Sequence, residues 1–116
     1  MRDGFYSIAV APADQPNAGG SGILAHFKDG AFVGVDQGGC RLHGRYQSDA
    51  DGRVAIHLIY DFKAGSELIS GITIPVDTSH EADLLLAPGT LGGDAQLIDL
   101  GLGPSLIRLT WLAEPA

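Results

Sequence analysis

Short runs of alternating apolar and polar residues, separated by turn residues, make up most of the chain. The two clearest runs are Cys40–Gln47 and Arg53–Phe62, which are joined by the turn sequence Ser48–Gly52. Alternation with a period of two is typical of a strand that has one face in the core and the other in water. The predicted inward residues are Leu42, Tyr46, Val54, Ile56, Leu58 and Tyr60. The predicted outward residues are Arg41, His43, Arg45 and Arg53.

Weaker alternation predicts further strands on both sides of this hairpin. They are expected at Asp3–Ala11, Gly22–Phe27, Ala31–Val35, around Gly71–Val76, and at Ala82–Ala87, Ala95–Ile98 and Ser105–Leu112. Between them we expect turns at Lys28–Gly30, Asp36–Gly39 and Thr78–Glu81, a loop at Ala87–Gly89, and a short helix near Glu67–Ser70. About eight short strands at this spacing are typical of an antiparallel barrel or sandwich. We predict an all-β fold, a small eight-stranded antiparallel barrel with under about a tenth of its residues in helix.

Composition and charge narrow the classes of protein that fit this pattern. With 116 residues the chain has room for one domain, which we place at 1–116. Seven basic and 14 acidic residues give a net charge of −7, which argues against a nucleic-acid partner. No apolar run approaches the roughly 20 residues that span a membrane, and the start lacks the apolar region of a signal peptide. We therefore expect a soluble cytoplasmic protein without membrane contact.

Several short sequences in the first half of the chain resemble one bacterial family. They are Asp3–Ile8, Gly20–Leu24, Asp29–Asp36 and Gly44–Tyr46, with the dipeptide Ser70–Gly71 later in the chain. Together they resemble the GrlR-like family, which is named for a negative regulator of type III secretion genes. These residues are turn glycines and core aromatics, so they indicate a fold more directly than a function.

The resemblance implies a lipocalin-like barrel that forms a homodimer. It also implies a regulatory or adaptor protein that acts through protein contact, because the founding regulator sequesters a transcription activator and does not bind DNA. That regulator carries an acidic hairpin tip, which corresponds here to Ser48–Asp51. Only Asp49 and Asp51 match it as acids, and they are the predicted partner-binding residues. Aspartate is also favoured at hairpin turns for its bonds to the local backbone, which is the alternative interpretation.

A second candidate surface lies on the outward faces of the central hairpin. Arg41, His43, His57 and Ile59 share this side of the predicted sheet and form a candidate dimer or surface patch. Two histidines could begin a metal site, but cationic neighbours disfavour a bound cation, and we predict no metal here. An apolar centre with a charged rim is instead the usual composition of a protein interface.

The sequence offers little for catalysis. Cys40 alternates with Leu42 and is predicted to be buried and unreactive, and Ser21 lacks the strand and helix that flank a hydrolase nucleophile. The carboxylates are spread through turns, and no motif for a cofactor is present. We predict that the protein is not an enzyme and needs no cofactor.

The interior of the barrel is the last candidate site. Tyr6, Tyr46, Tyr60, Phe62 and Trp111 are the inward aromatics expected to line or fill the lumen. Small barrels are commonly packed solid, and the size of these side chains favours a filled core. A hollow barrel would instead favour the alternative function, a carrier of a small apolar ligand.

Overall fold

Eight strands and one short helix form the fold seen in a computed structural model, which describes residues 1–14, 21–67, 72–101 and 103–116. The strands are β1 (Gly4–Pro12), β2 (Ser21–Lys28), β3 (Ala31–Asp36), β4 (Arg41–Ser48), β5 (Val54–Phe62), β6 (Thr78–Leu86), β7 (Gln96–Asp99) and β8 (Pro104–Ala113). The helix α1 (Pro88–Leu91) has four residues. In the described part of the chain, no helix has the length and apolar character needed to cross a membrane.

The strands form one antiparallel sheet that curves into a nearly closed barrel. Its order is β6-β5-β4-β3-β2-β1-β8-β7, so each strand from β1 to β6 pairs with the next along the chain and β8 returns beside β1. Every described pair is antiparallel. The prediction of an all-β, eight-stranded antiparallel barrel with little helix is confirmed.

Side chains bridge the seam between the two outermost strands, β6 and β7. The Gln96 Nε2 donates to the Leu85 carbonyl at 2.8 Å, and its Oε1 accepts from the Ala87 amide at 2.9 Å. At the other end of the seam, the His80 ring hydrogen-bonds to the Leu100 carbonyl. These bonds link the sheet edges where the backbone ladder is missing, and they satisfy polar groups that an open edge would leave unpaired.

The two faces of the central hairpin divide nearly as predicted. Leu42, Val54, Ile56 and Leu58 are buried, whereas Arg41, Arg45 and Arg53 are exposed. Tyr46 and Tyr60 also point inward, but both are only half-buried, and so is His43 on the outer face. The tyrosines lie near opposite ends of the barrel, where their hydroxyl groups reach acidic hydrogen-bond partners.

The prediction was wrong in the region that leads into β6. Of the expected strand around Gly71–Val76, residues 72–76 are described, and they form only an isolated bridge between Thr73 and Glu67. Pro75 lacks the amide hydrogen that a continuous ladder requires. The expected turn at Thr78–Glu81 is the first half of β6.

Two further predictions concern short elements on either side of β6. The expected helix at Glu67–Ser70 lies outside the described residues except for Glu67, which takes part in the bridge. The expected loop at Ala87–Gly89 instead leads into α1, where Pro88 occupies the first helical position. Proline is favoured there because the first turn of a helix leaves its amides unpaired in any case.

Candidate functional site

One end of the barrel is closed by the residues that precede β1. The Tyr46 hydroxyl donates to Asp3 Oδ1 at 2.5 Å, and the Trp111 Nε1 donates to the Asp3 carbonyl at 3.1 Å. The Tyr6 hydroxyl donates to the Arg2 carbonyl at 2.5 Å. Three of the five aromatics predicted for the lumen are therefore tied to this segment and contribute to the floor of the barrel.

The hydrogen bond between Tyr46 and Asp3 changes the acidity of both groups. Burial, together with donation to the carboxylate, raises the pKa of Tyr46 to about 12. The same bond, with a second from the Asp29 amide, lowers the pKa of Asp3. The phenol stays protonated and the carboxylate ionised at neutral pH, which is the combination that makes a charge-assisted hydrogen bond.

Packed aromatic rings form the inner layer of this floor. The Phe27 ring stacks on Phe32 with centroids 4.9 Å apart and meets Tyr6 and Tyr46 edge-on at 5.2 Å. Gly44 lies opposite Phe32 in the sheet and leaves room for its ring. The base of the barrel is thus tightly filled, as the size of the inward residues predicted.

Above this floor the barrel is hollow. A cavity of about 1300 Å³ extends from Phe27 and Phe32 to the loops at the opposite end. Its middle is lined by aliphatic side chains, namely Ile8, Leu42, Leu58, Leu84, Ile107 and Leu109. The expected filled core therefore holds for the base of the barrel and fails for the rest.

Two of the predicted lumen aromatics line the upper cavity. Tyr60 and Phe62 follow each other on the inward face of β5, and their rings stack with centroids 4.2 Å apart. Tyr6, Tyr46 and Trp111 do not line the cavity. Axial position separates the two groups, because Tyr60 and Phe62 lie near the end of β5 that opens onto the loops.

A polar group on the cavity wall is the feature that the sequence analysis missed. Asp36 Oδ2 accepts a hydrogen bond from the Tyr60 hydroxyl at 2.5 Å, and its Oδ1 accepts one from the Cys40 amide at 2.9 Å. The buried Cys40 Sγ lies 3.0 Å from Ser66 Oγ. Asp36 was expected to begin a turn, yet extending the alternation of Phe32 through β3 would have placed it inward.

The bond to Asp36 also fixes the protonation of Tyr60. Burial raises the pKa of Tyr60 well above its usual value, and donation to the Asp36 carboxylate raises it further. The phenol therefore stays a donor at physiological pH, and its hydrogen is already directed at Asp36. A molecule in the cavity would therefore contact the half-buried Asp36 carboxylate, and the Tyr60 hydroxyl would have no hydrogen left to donate to it.

The predicted partner-binding residues at the hairpin tip have local structural partners. Asp49 Oδ1 accepts hydrogen bonds from the amides of Asp51 and Arg53 at 2.9 and 3.0 Å. The Arg53 guanidinium then pairs with both carboxylates, at 2.9 Å from Asp49 and 3.1 Å from Asp51. The tip is a stabilised turn whose acidic charge is partly balanced by Arg53, as the turn interpretation anticipated.

The predicted surface patch is assembled on the outer sheet, and it contains acids that the sequence analysis did not place there. His43 lies opposite Ile59, and the His57 ring hydrogen-bonds to Asp83 of β6 at 2.7 Å. Glu81 lies 3.5 Å from the other ring nitrogen of His57. The sequence analysis missed these acids because the expected turn at Thr78–Glu81 hid the outward alternation of β6.

Arg41, His43 and His57 of this patch each lie opposite or next to an acidic residue. Arg41 lies opposite Asp61, whose carboxylate is also 3.5 Å from His43. Hydrogen bonding to Asp83 raises the pKa of His57. Among the described residues, no group of three or more potential ligands is arranged to hold a metal ion.

An exposed apolar surface adjoins this patch. On the outer faces of β2 and β3, Leu24 lies opposite Val35, and Val33 lies opposite His43 of β4. Leu24, Val33 and Val35 are 50%, 54% and 42% exposed. Their register makes one apolar area, which the sequence analysis had not identified, and His43 of β4 separates it from Ile59 of β5.

Comparison with known proteins adds no relative to this description. No family model matches the chain, no curated protein matches it, and no solved structure matches it.

Proposed function

We propose that the protein binds a small apolar ligand inside the barrel and acts as its carrier. The observation that carries this proposal is the cavity of about 1300 Å³ above a packed aromatic floor. Small-molecule sites typically enclose roughly 300–1,000 Å³ and combine an apolar lining with a few polar groups. The cavity is larger than that range, but its aliphatic walls with a few polar groups near the open end match that kind of lining, and we propose no catalytic step.

A neutral fluorescent probe, N-phenylnaphthylamine, tests this proposal directly. We expect saturable binding with one probe per barrel, a blue-shifted emission, and weaker binding when a larger side chain occupies part of the cavity. Leu84→Trp places an indole in the cavity, because Leu84 lines its wall. Leu85→Trp is the matched control, since the next residue of β6 points outward and is 47% exposed.

The two variants separate cavity binding from surface adsorption. Leu84→Trp should weaken probe binding, whereas Leu85→Trp should leave it unchanged, with both folds verified by circular dichroism. Equal binding by the two variants would show that the probe lies elsewhere and would refute the proposal. The size of the cavity allows the larger side chain to be accommodated with less strain than a packed core would impose.

We propose as a second function that the protein is a regulatory or adaptor protein that acts through protein contact. The specific support is the exposed apolar area of Leu24, Val33 and Val35. Polar residues of β4 border this area, and Ile59 of β5 lies beyond His43. Apolar patches rimmed by polar residues mark interaction sites more often than random surface does. The resemblance to the GrlR-like family supports a homodimer, with a transcription regulator as a further partner, in the cytoplasm.

Sedimentation at micromolar concentration tests the homodimer with a matched pair of variants. Val33→Asp puts a charge in the apolar area, and Ile59→Asp puts one on the same outer face beyond His43. Val76→Asp is the control, because Val76 is 63% exposed and lies outside this area. We expect a dimer that the first two variants convert to monomer and that Val76→Asp leaves intact. A monomer for the unaltered protein would refute this arm of the proposal.

A further inference from the structure

We infer that the ligand of this cavity is an apolar molecule with a single cationic head group, and not a fatty-acid type carboxylate. This inference rests on the proposed function and specifies the chemistry of the same site. It follows from the charged side chains that line the cavity and from the hydrogen bonds of Asp36. One of these bonds already uses the hydrogen of the Tyr60 hydroxyl.

The charged residues around the cavity are mostly acidic. Asp14, Asp36 and Glu67 line it, together with the single base Lys63. The segments outside the described ranges contain no charged residue, so they do not change this balance. The chain as a whole carries a net charge of −7, which adds a long-range field of the same sign.

Asp36 is the acid placed to recognise a head group. It is half-buried on the wall, while Asp14, Lys63 and Glu67 are exposed to water. Its two hydrogen bonds come from the neutral Tyr60 hydroxyl and the Cys40 amide. Among the described residues, which include every charged side chain of the sequence, none lies within ion-pair distance of Asp36.

A half-buried carboxylate without a countercharge favours a cationic ligand over an anionic one. Charge interactions near a protein surface are stronger than in bulk water, because the effective dielectric constant is lower. A carboxylate head group would be repelled by Asp36 and could not use the Tyr60 hydroxyl, whose hydrogen is already donated. Lys63 offers it only an exposed ammonium group that is well solvated and screened by salt.

Three ligands with the same alkyl chain test the inference on the unaltered protein. Dodecyltrimethylammonium, dodecanol and dodecanoate are titrated below their micelle concentrations against bound N-phenylnaphthylamine. We expect the cation to displace the probe with the highest affinity and the carboxylate with the lowest, about tenfold or more apart at low salt. This difference should shrink as the ionic strength rises.

Matched variants locate the source of the preference. Asp36→Asn keeps the shape and an acceptor for Tyr60 but removes the charge, so the affinity for the cation should fall about tenfold while that for dodecanol stays unchanged. Asp83→Asn changes the net charge equally on the outer face, where Asp83 is exposed, and should leave the preference intact. If Asp36→Asn fails to fold, the order of affinity of the three ligands for the unaltered protein still tests the inference.

The outcomes distinguish this inference from the proposed function. Dodecanoate binding as tightly as the cation, or more tightly, would overturn the inference while cavity binding stands. Failure of all three ligands to displace a bound probe would also overturn it. Failure of the probe itself to bind would instead refute the proposed function on which the inference rests.

Discussion

The packed floor of the barrel and its hollow upper part should respond very differently to the same substitution. We choose Phe27→Leu in the floor and Phe62→Leu at the cavity wall. Both phenylalanines are buried, at 2% and 6% exposure, and both changes remove a ring while keeping an aliphatic side chain. The transfer contribution to stability is therefore nearly the same in the two variants, and ring packing is what differs.

The number of ring partners sets the expected magnitude. Phe27 contacts the rings of Tyr6, Phe32 and Tyr46, whereas Phe62 stacks on Tyr60. Each aromatic pair contributes about 0.5–1.5 kcal/mol beyond its buried area. Phe27→Leu loses two more pairs than Phe62→Leu, so it should destabilise the protein by about 1–3 kcal/mol more.

Urea denaturation followed by the fluorescence of the single tryptophan, with thermal melts as a second probe, measures this difference. For a domain of this size about 1 kcal/mol corresponds to roughly 4 °C in the melting temperature, so the variants should melt about 4–12 °C apart. Equal losses of unfolding free energy would refute the reasoning, because they would mean that the floor is no better packed than the cavity wall.

Three further predictions concern the two faces of the sheet. Leu58→Ala should lower the free energy of unfolding by about 2–5 kcal/mol and Arg45→Ala by less than about 0.5 kcal/mol; similar losses in urea melts would show that the faces are misassigned. Gly44→Ala should destabilise strongly, because its new methyl group would clash with the His57 carbonyl oxygen, and a melting temperature equal to that of the unaltered protein would contradict this. The raised pKa of His57 means that its bond to Asp83 contributes to stability fully below about pH 6.5 and that this contribution is lost as the pH rises through the higher folded-state pKa. His57→Gln should therefore remove part of the pH dependence of the melts, and a ring titration by NMR at or below the ordinary histidine value would exclude the effect.

Strict alternation was enough to define the central hairpin from the sequence. The register of β4 and β5 places Leu42 beside Tyr60 and Tyr46 beside Ile56, all on the inner face as predicted. A period of two leaves no intermediate arrangement, because a shift of one residue would expose the whole apolar set. Alternation did not predict the first half of β6, because the inward residues there, near the open end of the barrel, are polar and give no apolar signal.

The candidate site depended on information that no local pattern contains. Asp36 and Tyr60 are 24 residues apart in sequence, and their hydrogen bond exists because β3, β4 and β5 curve together. Whether five inward aromatics fill a barrel depends equally on where they fall along its axis. Tyr6, Tyr46 and Trp111 share one end with the segment that closes it, so the middle of the barrel is left to aliphatic side chains, and of the five only Tyr60 and Phe62 line the wall near the open end.

The sequence by itself determined the all-β class, the alternating faces of the central hairpin and the turns before β5, because these follow from short-range sterics and the period of the strand. Only the tertiary structure decided that the barrel is closed at one end and hollow above, and that Glu81 and Asp83 share a face with His57. Cavity volume and cross-strand charge contacts depend on sheet curvature and on pairing between distant segments. Those are set by the packing of the whole chain, so residues that alternate identically in the sequence become a packed floor at one end and a cavity wall at the other.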